Sequence, residues 1–527
     1  MLMRVEGAAA SGKALRSLTA LLLGGVVLEA GCLWIVTWSP QLTAQYTPDF
    51  TREFFSRLPW LQVPLGVELI DVSSIVAVLE IGLLTMIAGY IVALVALSRP
   101  LMACTAQVLL GCTMVFRLTL FLLPGLFSTD VFSYVMTGRI AAVYGGNPYV
   151  AVPADFPADS FLGWVFPFWR DAPTVYGPAW TDFSWALAEL TAGWPNFDQV
   201  LAYRFTLMAM DSLTLLLVWR LLRRIFPGDA SRQARLMAFG VFAWNPLLLF
   251  DLVGNQHNDV AMVLLMLLAL TLVHGDRPVT GLAAMVASTL VKYTTGVAVL
   301  FWTVGWISRA NTASARLSRT LAAAATGLIL VVPLVLPWLQ TPALILFKQA
   351  AGGRLVINSV PDLLALTLAD QLLVASGSDK YVAEDSVRSW FRVVSWLGFA
   401  VYLSWETWRI WRWRSSQSDG SELEFVRMFT SSTVRALLIL PLLVMPAVWS
   451  WYFSWSLGPS VLLGWDTWLT RLVVMYSLAA LPFVYAHQYL GDDVLGVFVL
   501  LFALGPVAAW LVWYGLAARG RGNVQAF

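Results

Sequence analysis

Apolar and polar positions fall along this chain in long alternating blocks. Runs able to cross about 30 Å of hydrocarbon lie near residues 17–38, 72–98, 101–124, 200–222, 236–253, 257–273, 278–291, 293–308, 319–338, 388–410, 432–449, 452–465, 471–486 and 494–516. The pattern predicts an all-α, polytopic membrane protein with about 14 transmembrane helices, a single unit over residues 1–527. Several runs are short, and those around 245–259, 291–293 and 449–452 read as re-entrant or broken where they meet a cavity. The first run, behind Lys13 and Arg16, has the start of a signal peptide. Leu33-Trp-Ile-Val continues where a polar mature start would begin, so an uncleaved first helix is expected.

Two stretches between the runs are too long for simple turns. Residues 125–199 predict a first large external loop that carries catalysis, with helical pieces at 130–144 and 180–190; residues 339–387 predict a second external loop. Alternating the spans from a cytoplasmic N-terminus puts most of the 33 Lys and Arg inside, among them Arg223, Arg224, Arg309, Arg409 and Arg414. Both termini are then cytoplasmic, and the chemically interesting residues all face outward.

Composition agrees with the pattern and removes other classes. Only 12% of residues are charged, against about 25% in soluble domains, while 59% are hydrophobic and the mean hydropathy is +0.73. A net charge of +2 spread over loops gives no reason to expect a nucleic-acid partner. Cys32, Cys104 and Cys112 lie within apolar runs, with neither metal nor disulfide spacing, and read as packing residues.

The polar block Phe127-Ser-Thr-Asp130-Val-Phe-Ser-Tyr134-Val-Met-Thr-Gly-Arg139 stands out against this background. Written as a helix, it puts Asp130, Ser133, Tyr134, Thr137 and Tyr144 on one side, with Arg139 about 180° from Asp130 amid the apolar face. Asp130 could cap its helix, or it could be one strong base offered at a membrane surface. Transfer of a sugar from a lipid phosphate needs a single base, because the departing phosphate asks for cations rather than a proton donor. Glycoside hydrolysis usually needs two carboxylates. Cations at membrane depth, Lys292 and Arg117, are functional by default, although snorkelling would also place them there. Gly145-Gly-Asn147-Pro-Tyr149 and Tyr176-Gly-Pro178 are turn signals that also suit sugar hydroxyls and sugar faces. Asp251-Leu-Val-Gly-Asn255-Gln-His257-Asn258-Asp259 crowds polar side chains at a helix–helix turn; His257 and Asp259 are too few to claim a metal site. Trp449-Ser-Trp451-Tyr452 reads as interfacial belt or as substrate-positioning aromatics.

Taken together and in this order, Ser128-Thr-Asp130-Val-Phe-Ser-Tyr134 with Gly138-Arg139, Gly146-Asn147-Pro-Tyr149, Tyr176-Gly-Pro178, Asn245-Pro246, Gly254-Asn-Gln-His257-Asn-Asp259, Lys292-Tyr293 and Trp451-Tyr452 resemble the GT-C superfamily of integral-membrane glycosyltransferases. More narrowly they resemble the bacterial polyprenyl-phosphate-mannose-dependent α-mannosyltransferases. The resemblance implies a bacterial plasma-membrane enzyme, a polyprenyl-phosphate sugar donor, inversion at the anomeric carbon, and Asp130 as catalytic base. It departs from many superfamily members in having no second acidic residue beside Asp130, which leaves a divalent metal open.

The reading is therefore an inverting transferase of a hexose, most simply mannose, to a hydroxyl of a lipid-linked or glycan acceptor. Asp130 is the base; Lys292, Arg117, Arg139 and His257 are candidate donor-phosphate ligands; Tyr134, Asn147, Tyr149, Tyr176, Asn258, Asp259, Trp451 and Tyr452 are candidate sugar or acceptor contacts. An outward-facing site implies a donor made by a separate synthase and carried across by a flippase. The alternatives are the same chemistry with glucose, galactose or an arabinofuranose, and a polyprenyl-lipid flippase or transporter.

Overall fold

The computed structural model describes residues 2–69, 71–339, 359–376, 380–416, 422–490 and 495–520. The described residues form helices and turns, with no strand among them. In chain order the first half consists of α1 (Leu2–Leu42), α2 (Pro48–Arg57), α3 (Val72–Leu97), α4 (Thr105–Phe121), α5 (Asp130–Ala142), α6 (Pro167–Arg170), α7 (Pro178–Thr191) and α8 (Asn196–Ile225). It continues with α9 (Arg232–Ala243), α10 (Asp259–Val273), α11 (Pro278–Val291), α12 (Gly296–Ser308) and α13 (Ala313–Val335). Helices Val360–Ser376, Lys380–Ser416, Glu422–Ile439, Ser454–Ser460, Trp468–Leu490 and Leu495–Gly520 follow.

Among the described residues, six helices are long and apolar enough to cross a membrane, or seven if α9 and the π-helical turn Leu248–Gly254, bent by 54°, count as one span. That count, by length and composition among the described residues, is smaller than the number of apolar runs. The reason is visible in α10, α11 and α12, whose 15, 14 and 13 residues rise only about 20 Å at 1.5 Å each. The run at 452–465 likewise breaks into short pieces, Ser450–Phe453, Ser454–Ser460 and Val461–Leu463. Irregular backbone at such depth is tolerated where it is enclosed by protein or lines a cavity, and these breaks surround one. Residues 340–358 and 377–379 of the predicted second loop lie outside the described residues; its middle is the helix Val360–Ser376.

The predicted first loop is an ordered cap over one end of the bundle. Its helical pieces are α5 and α7, packed so closely that a Cβ on Gly138 would stand 2.2 Å from the Ser184 carbonyl oxygen. Tyr203 of α8 ties them together, donating to the backbone carbonyls of Tyr134 at 3.2 Å and Ser184 at 3.1 Å. Gly177 plays the matching part between cap and bundle. A Cβ there would meet the Leu290 carbonyl oxygen at 2.1 Å, and its N–H donates to Val291 O at 3.1 Å. Tyr176-Gly-Pro178 is thereby clamped to the end of α11, one residue from Lys292.

Candidate active site

Four segments distant in sequence meet under the cap: the start of α5, the turn 251–259, the break between α11 and α12, and the aromatic run 449–455. Asp130 is the first residue of α5. Thr129 ahead of it makes no side-chain cap, and the Asp130 N–H finds only Ser128 Oγ at 3.3 Å. The carboxylate is therefore not spent on capping. Its Oδ2 accepts the Tyr176 hydroxyl at 3.0 Å and the Tyr134 hydroxyl at 3.4 Å, and lies 3.2 Å from His257 Nδ1. The His257 contact is close but off the line of a full hydrogen bond. Tyr134 can aim its proton at Asp130 because its oxygen accepts the Asn258 N–H at 3.1 Å. Burial works to raise the Asp130 carboxyl, but the imidazole of His257, the Lys292 ammonium and the Tyr176 hydroxyl outweigh it and hold the group below its usual value. Burial, and then the Asp130 charge, push the Tyr176 hydroxyl well up, so it stays a donor.

The turn behind Asp130 follows from Asn245-Pro246. Asn245 Oδ1 accepts the N–H of Leu247 at 3.0 Å, and its amide donates to Ser477 Oγ at 2.9 Å, ending α9 and opening the π-helical turn. Gln256 then adopts φ +61°, a left-handed conformation uncommon outside glycine and often found at functional sites. This reversal turns Asn255, His257 and Asp259 inward, and all three are fully buried. Asn255 Oδ1 accepts the Phe127 N–H at 2.9 Å, fixing the strap that leads to Asp130. Its amide donates to the Tyr485 hydroxyl, which donates to Asp251 Oδ1 at 2.7 Å.

Lys292 sits in extended conformation at the break after α11. Its Nζ donates to both Asp259 oxygens, at 3.0 and 2.8 Å, while Trp455 Nε1 also donates to Asp259. The ammonium lies 5.5 Å from the ring centres of both Tyr452 and Trp455. Its side chain keeps 18% of its surface exposed. Trp451 stacks on His257 at 3.7 Å and on Trp449 at 5.0 Å.

These groups border a cavity of about 450 Å³. Asp130, Tyr176, Lys292, Trp451 and Tyr452 line it directly, together with apolar and aromatic residues such as Phe127, Phe166, Phe168 and Met445. Tyr134, Asn258 and Asp259 stand behind the lining. So does His257, covered by Trp451 and turned to Asp130 rather than into the cavity. The structure places the remaining candidates elsewhere. Arg117 is closed off, paired with Asp211 at 2.6 Å and with the Ala243 carbonyl at 2.9 Å, its side chain 1% exposed. Arg139 turns away from Asp130, as its helical phase requires, and pairs with Asp159 at 2.9 Å and Gln199 at 3.2 Å. Neither borders the cavity. Tyr149 supports the segment that carries Tyr176, donating to the Tyr176 carbonyl at 3.0 Å, and Asn147 Oδ1 accepts the Tyr149 N–H at 3.0 Å.

Sequence reasoning missed Trp455 as a partner of Asp259, and Tyr485 with Asn255 as the anchor of the strap. It also missed Asp211, whose signal was present: a lone carboxylate inside the apolar run 200–222 needs a cation, and Arg117 is such a cation. No group of three His, Cys, Asp or Glu among the described residues is arranged to hold a metal.

The site thus combines apolar helices long enough to cross a membrane, a carboxylate and a cation on one aromatic cavity, and a cap built from α5 and α7. A family model described as "Alpha-(1->6)-mannopyranosyltransferase, N-terminal domain" matches residues 29–308, more than half of the chain, and the protein belongs to that family. The matched segment holds Asp130, His257, Asp259 and Lys292 and ends with α12. The chain is 26% identical over 411 residues to alpha-(1->6)-mannopyranosyltransferase A of Mycobacterium tuberculosis, covering 76% of this chain and 72% of that protein. Shorter matches are 31% identical to a probable alpha-(1->6)-mannopyranosyltransferase of Mycolicibacterium smegmatis, over 29% of this chain and 26% of that one. Against alpha-(1->6)-mannopyranosyltransferase A of Corynebacterium glutamicum the match is 28% identical, over 34% of each chain.

Proposed function

We propose that this protein is an inverting α-mannosyltransferase. It moves mannose from a polyprenyl-phosphate donor to a hydroxyl of a lipid-linked or glycan acceptor at the outer membrane surface. One observation carries the reading: an ionised carboxylate, Asp130, and an ammonium, Lys292, open onto the same mainly apolar and aromatic cavity. A polyprenyl chain suits the apolar lining, a phosphate suits Lys292, and a sugar ring suits the faces of Trp451 and Tyr452.

The three contacts to Asp130 all fall on Oδ2, which leaves Oδ1 to take the acceptor proton. As that proton passes to Asp130, the acceptor oxygen attacks C1 of the sugar. The bond from C1 to the phosphate oxygen breaks with its electron pair going to phosphate, and polyprenyl phosphate departs against Lys292. Asp130 then returns its proton to solvent. Attack opposite the leaving group inverts C1, so a β-linked donor gives an α-linked product, in keeping with the names of the relatives. His257 and Tyr176 orient Asp130 and keep it ionised; Asp259 and Trp455 hold Lys292 at the phosphate. The donor requires a separate synthase that loads polyprenyl phosphate with mannose, and a flippase.

The test is transfer of labelled mannose from polyprenyl-phosphate mannose by membranes containing the wild type or Asp130→Asn. Loss of a positioned base predicts a fall of about 10³-fold with the variant folded and expressed as before. An Asp130→Asn protein that transfers at the wild-type rate overturns the role of Asp130; transfer from another polyprenyl-phosphate sugar but not from the mannose donor overturns the choice of sugar.

A further inference from the structure

The strap that leads to Asp130 brings two hydroxyl side chains to the main cavity, and none of the roles assigned above uses them. Ser128 and Thr129 line it together with Tyr46 and Gln488. These four residues come from three elements lashed to one another. The Leu126 N–H donates to Thr47 Oγ1 at 3.1 Å, which ties the strap to the turn after α1. The Tyr489 hydroxyl donates to the Leu42 carbonyl at 2.7 Å, which ties the end of the helix Trp468–Leu490 to the end of α1. Tyr46 and Gln488 thereby meet, side chain to side chain, and the Tyr46 ring packs on Phe166 at 5.8 Å and on Tyr489 at 6.2 Å.

We propose that Ser128, Thr129, Tyr46 and Gln488 form the acceptor subsite, the wall of the main cavity that holds the sugar whose hydroxyl Asp130 deprotonates; the inference rests on the function proposed above. Charge is the first argument. Among the described residues that line the cavity, Asp130 and Lys292 are the only charged ones, and Ser128, Thr129 and Gln488 are the only non-aromatic ones with a hydroxyl or amide. Neutral hydroxyls and an amide suit a polyol and give no counter-charge to a phosphate. Space is not limiting, because both sugars share one cavity of about 450 Å³, well within the range of small-molecule sites.

The geometry of displacement is the second. Attack at C1 opposite the leaving phosphate puts acceptor and phosphate on opposite sides of the donor sugar, so the acceptor belongs with the base and not with the ammonium. Ser128 and Thr129 directly precede the base in the chain. Lys292 is held by Asp259 and lies over Tyr452 and Trp455, none of which is on the strap. Third, the hydroxyls are free to bind. Thr129 stands at the N-cap position of α5, where a hydroxyl ordinarily bonds to the helix, yet it makes no cap and bonds to no other described residue. It is 9% exposed, and a hydroxyl so enclosed is costly to leave unpaired. A ligand hydroxyl in the cavity satisfies it. Ser128 Oγ accepts the Asp130 N–H at 3.3 Å, which leaves its proton for a ligand oxygen. The strap that presents both is fixed on either side, by Phe127 N–H to Asn255 Oδ1 at 2.9 Å and by Phe132 N–H to the Thr129 carbonyl at 3.1 Å.

The experiment measures KM for each substrate separately, using purified full-length protein, polyprenyl-phosphate mannose as donor and octyl α-mannoside as the acceptor probe. Thr129→Val removes the hydroxyl and keeps the shape, and Gln488→Leu removes the amide. Acceptor KM is expected to rise about tenfold in each, with donor KM within twofold of wild type. Forms of the probe lacking one hydroxyl at a non-reacting position give a second readout. The form that costs the wild type about tenfold for want of the hydroxyl bound by Thr129 should cost Thr129→Val nothing further, a result that a disturbed fold or a displaced Asp130 does not produce. An unchanged acceptor KM in both variants, equal rises in donor and acceptor KM, or deoxy penalties that are the same in Thr129→Val as in wild type at every position overturn the subsite. A wild type that transfers no mannose to any acceptor overturns the underlying function instead.

Discussion

Two buried ion pairs in this protein look alike in sequence and differ in what they can do. Arg117–Asp211 and Lys292–Asp259 each join a cation and a carboxylate from separate helical segments inside an apolar bundle, at 2.6 and 2.8 Å. Arg117 spends its guanidinium on Asp211 and the Ala243 carbonyl and is sealed, with 1% of its side chain exposed. Lys292 uses both Asp259 oxygens, yet its ammonium keeps a face on the cavity, with 18% of its side chain exposed. A cation inside a membrane protein is available to a substrate only when its counter-ion leaves such a face open. The sealed pair holds α4 to α8; the open one is poised for an anion.

Breaking the sealed pair should have the largest effect. Arg117→Met strands Asp211 as an uncompensated buried charge, which typically costs about 3–5 kcal/mol. Thermal unfolding in detergent should show a marked loss, and the double variant Arg117→Met, Asp211→Leu should recover most of it, because both charges then leave together. Transfer per folded molecule should match wild type in that double variant. A fall in turnover without a fall in stability would move Arg117 into the donor site.

Breaking the open pair should act on the substrate. On the proposed function, Lys292→Met removes a charged hydrogen bond to the donor phosphate, worth about 10- to 100-fold in donor affinity, and it leaves buried Asp259 with Trp455 as its remaining donor. Steady-state kinetics should show this rise in donor KM. Unchanged donor KM would leave the anion to another group.

A third carboxylate sharpens the comparison, since among the described residues no cation pairs with it. Asp182 of α7 accepts Trp338 Nε1 at 2.9 Å, and burial raises its carboxyl to about 6 despite that bond. A carboxyl raised on folding penalises the native state above its folded value, and the penalty fades as pH falls through about 6 toward the ordinary 3.8. Asp182→Asn should therefore raise the melting temperature at neutral pH by roughly 2 °C, and the gap should close on acidification. A gap that widens on acidification would show the opposite sign of shift. Asp130 runs the other way: its carboxyl is held below 3.8 by its neighbours, so it stays charged at neutral pH.

Much of the site was legible because chemistry that burial does not require stands out against hydrocarbon. Asp130, the turn Asp251 to Asp259, Lys292 and Trp451-Tyr452 are polar or amphipathic groups in apolar surroundings, and each is found in or directly behind one cavity. The helical phase of 130–144 also separated Asp130 from Arg139 correctly, because 100° per residue is a local property. The fourteen apolar runs include segments too short to cross by length alone, since hydropathy reports that a segment is apolar but not how long its helix runs; α10, α11 and α12 are apolar and short.

By itself, then, the sequence determined an all-helical membrane protein, its family motifs and the residue types available for chemistry, because hydrophobic transfer and helical periodicity act within a segment. Only the tertiary structure decided which cation meets which carboxylate. It gave Arg117 to Asp211 and Lys292 to Asp259, and turned His257 from a phosphate ligand into a neighbour of Asp130. Those pairings are contacts between groups 33 to 127 residues apart, set by how helices pack and where they break, and no local pattern encodes them.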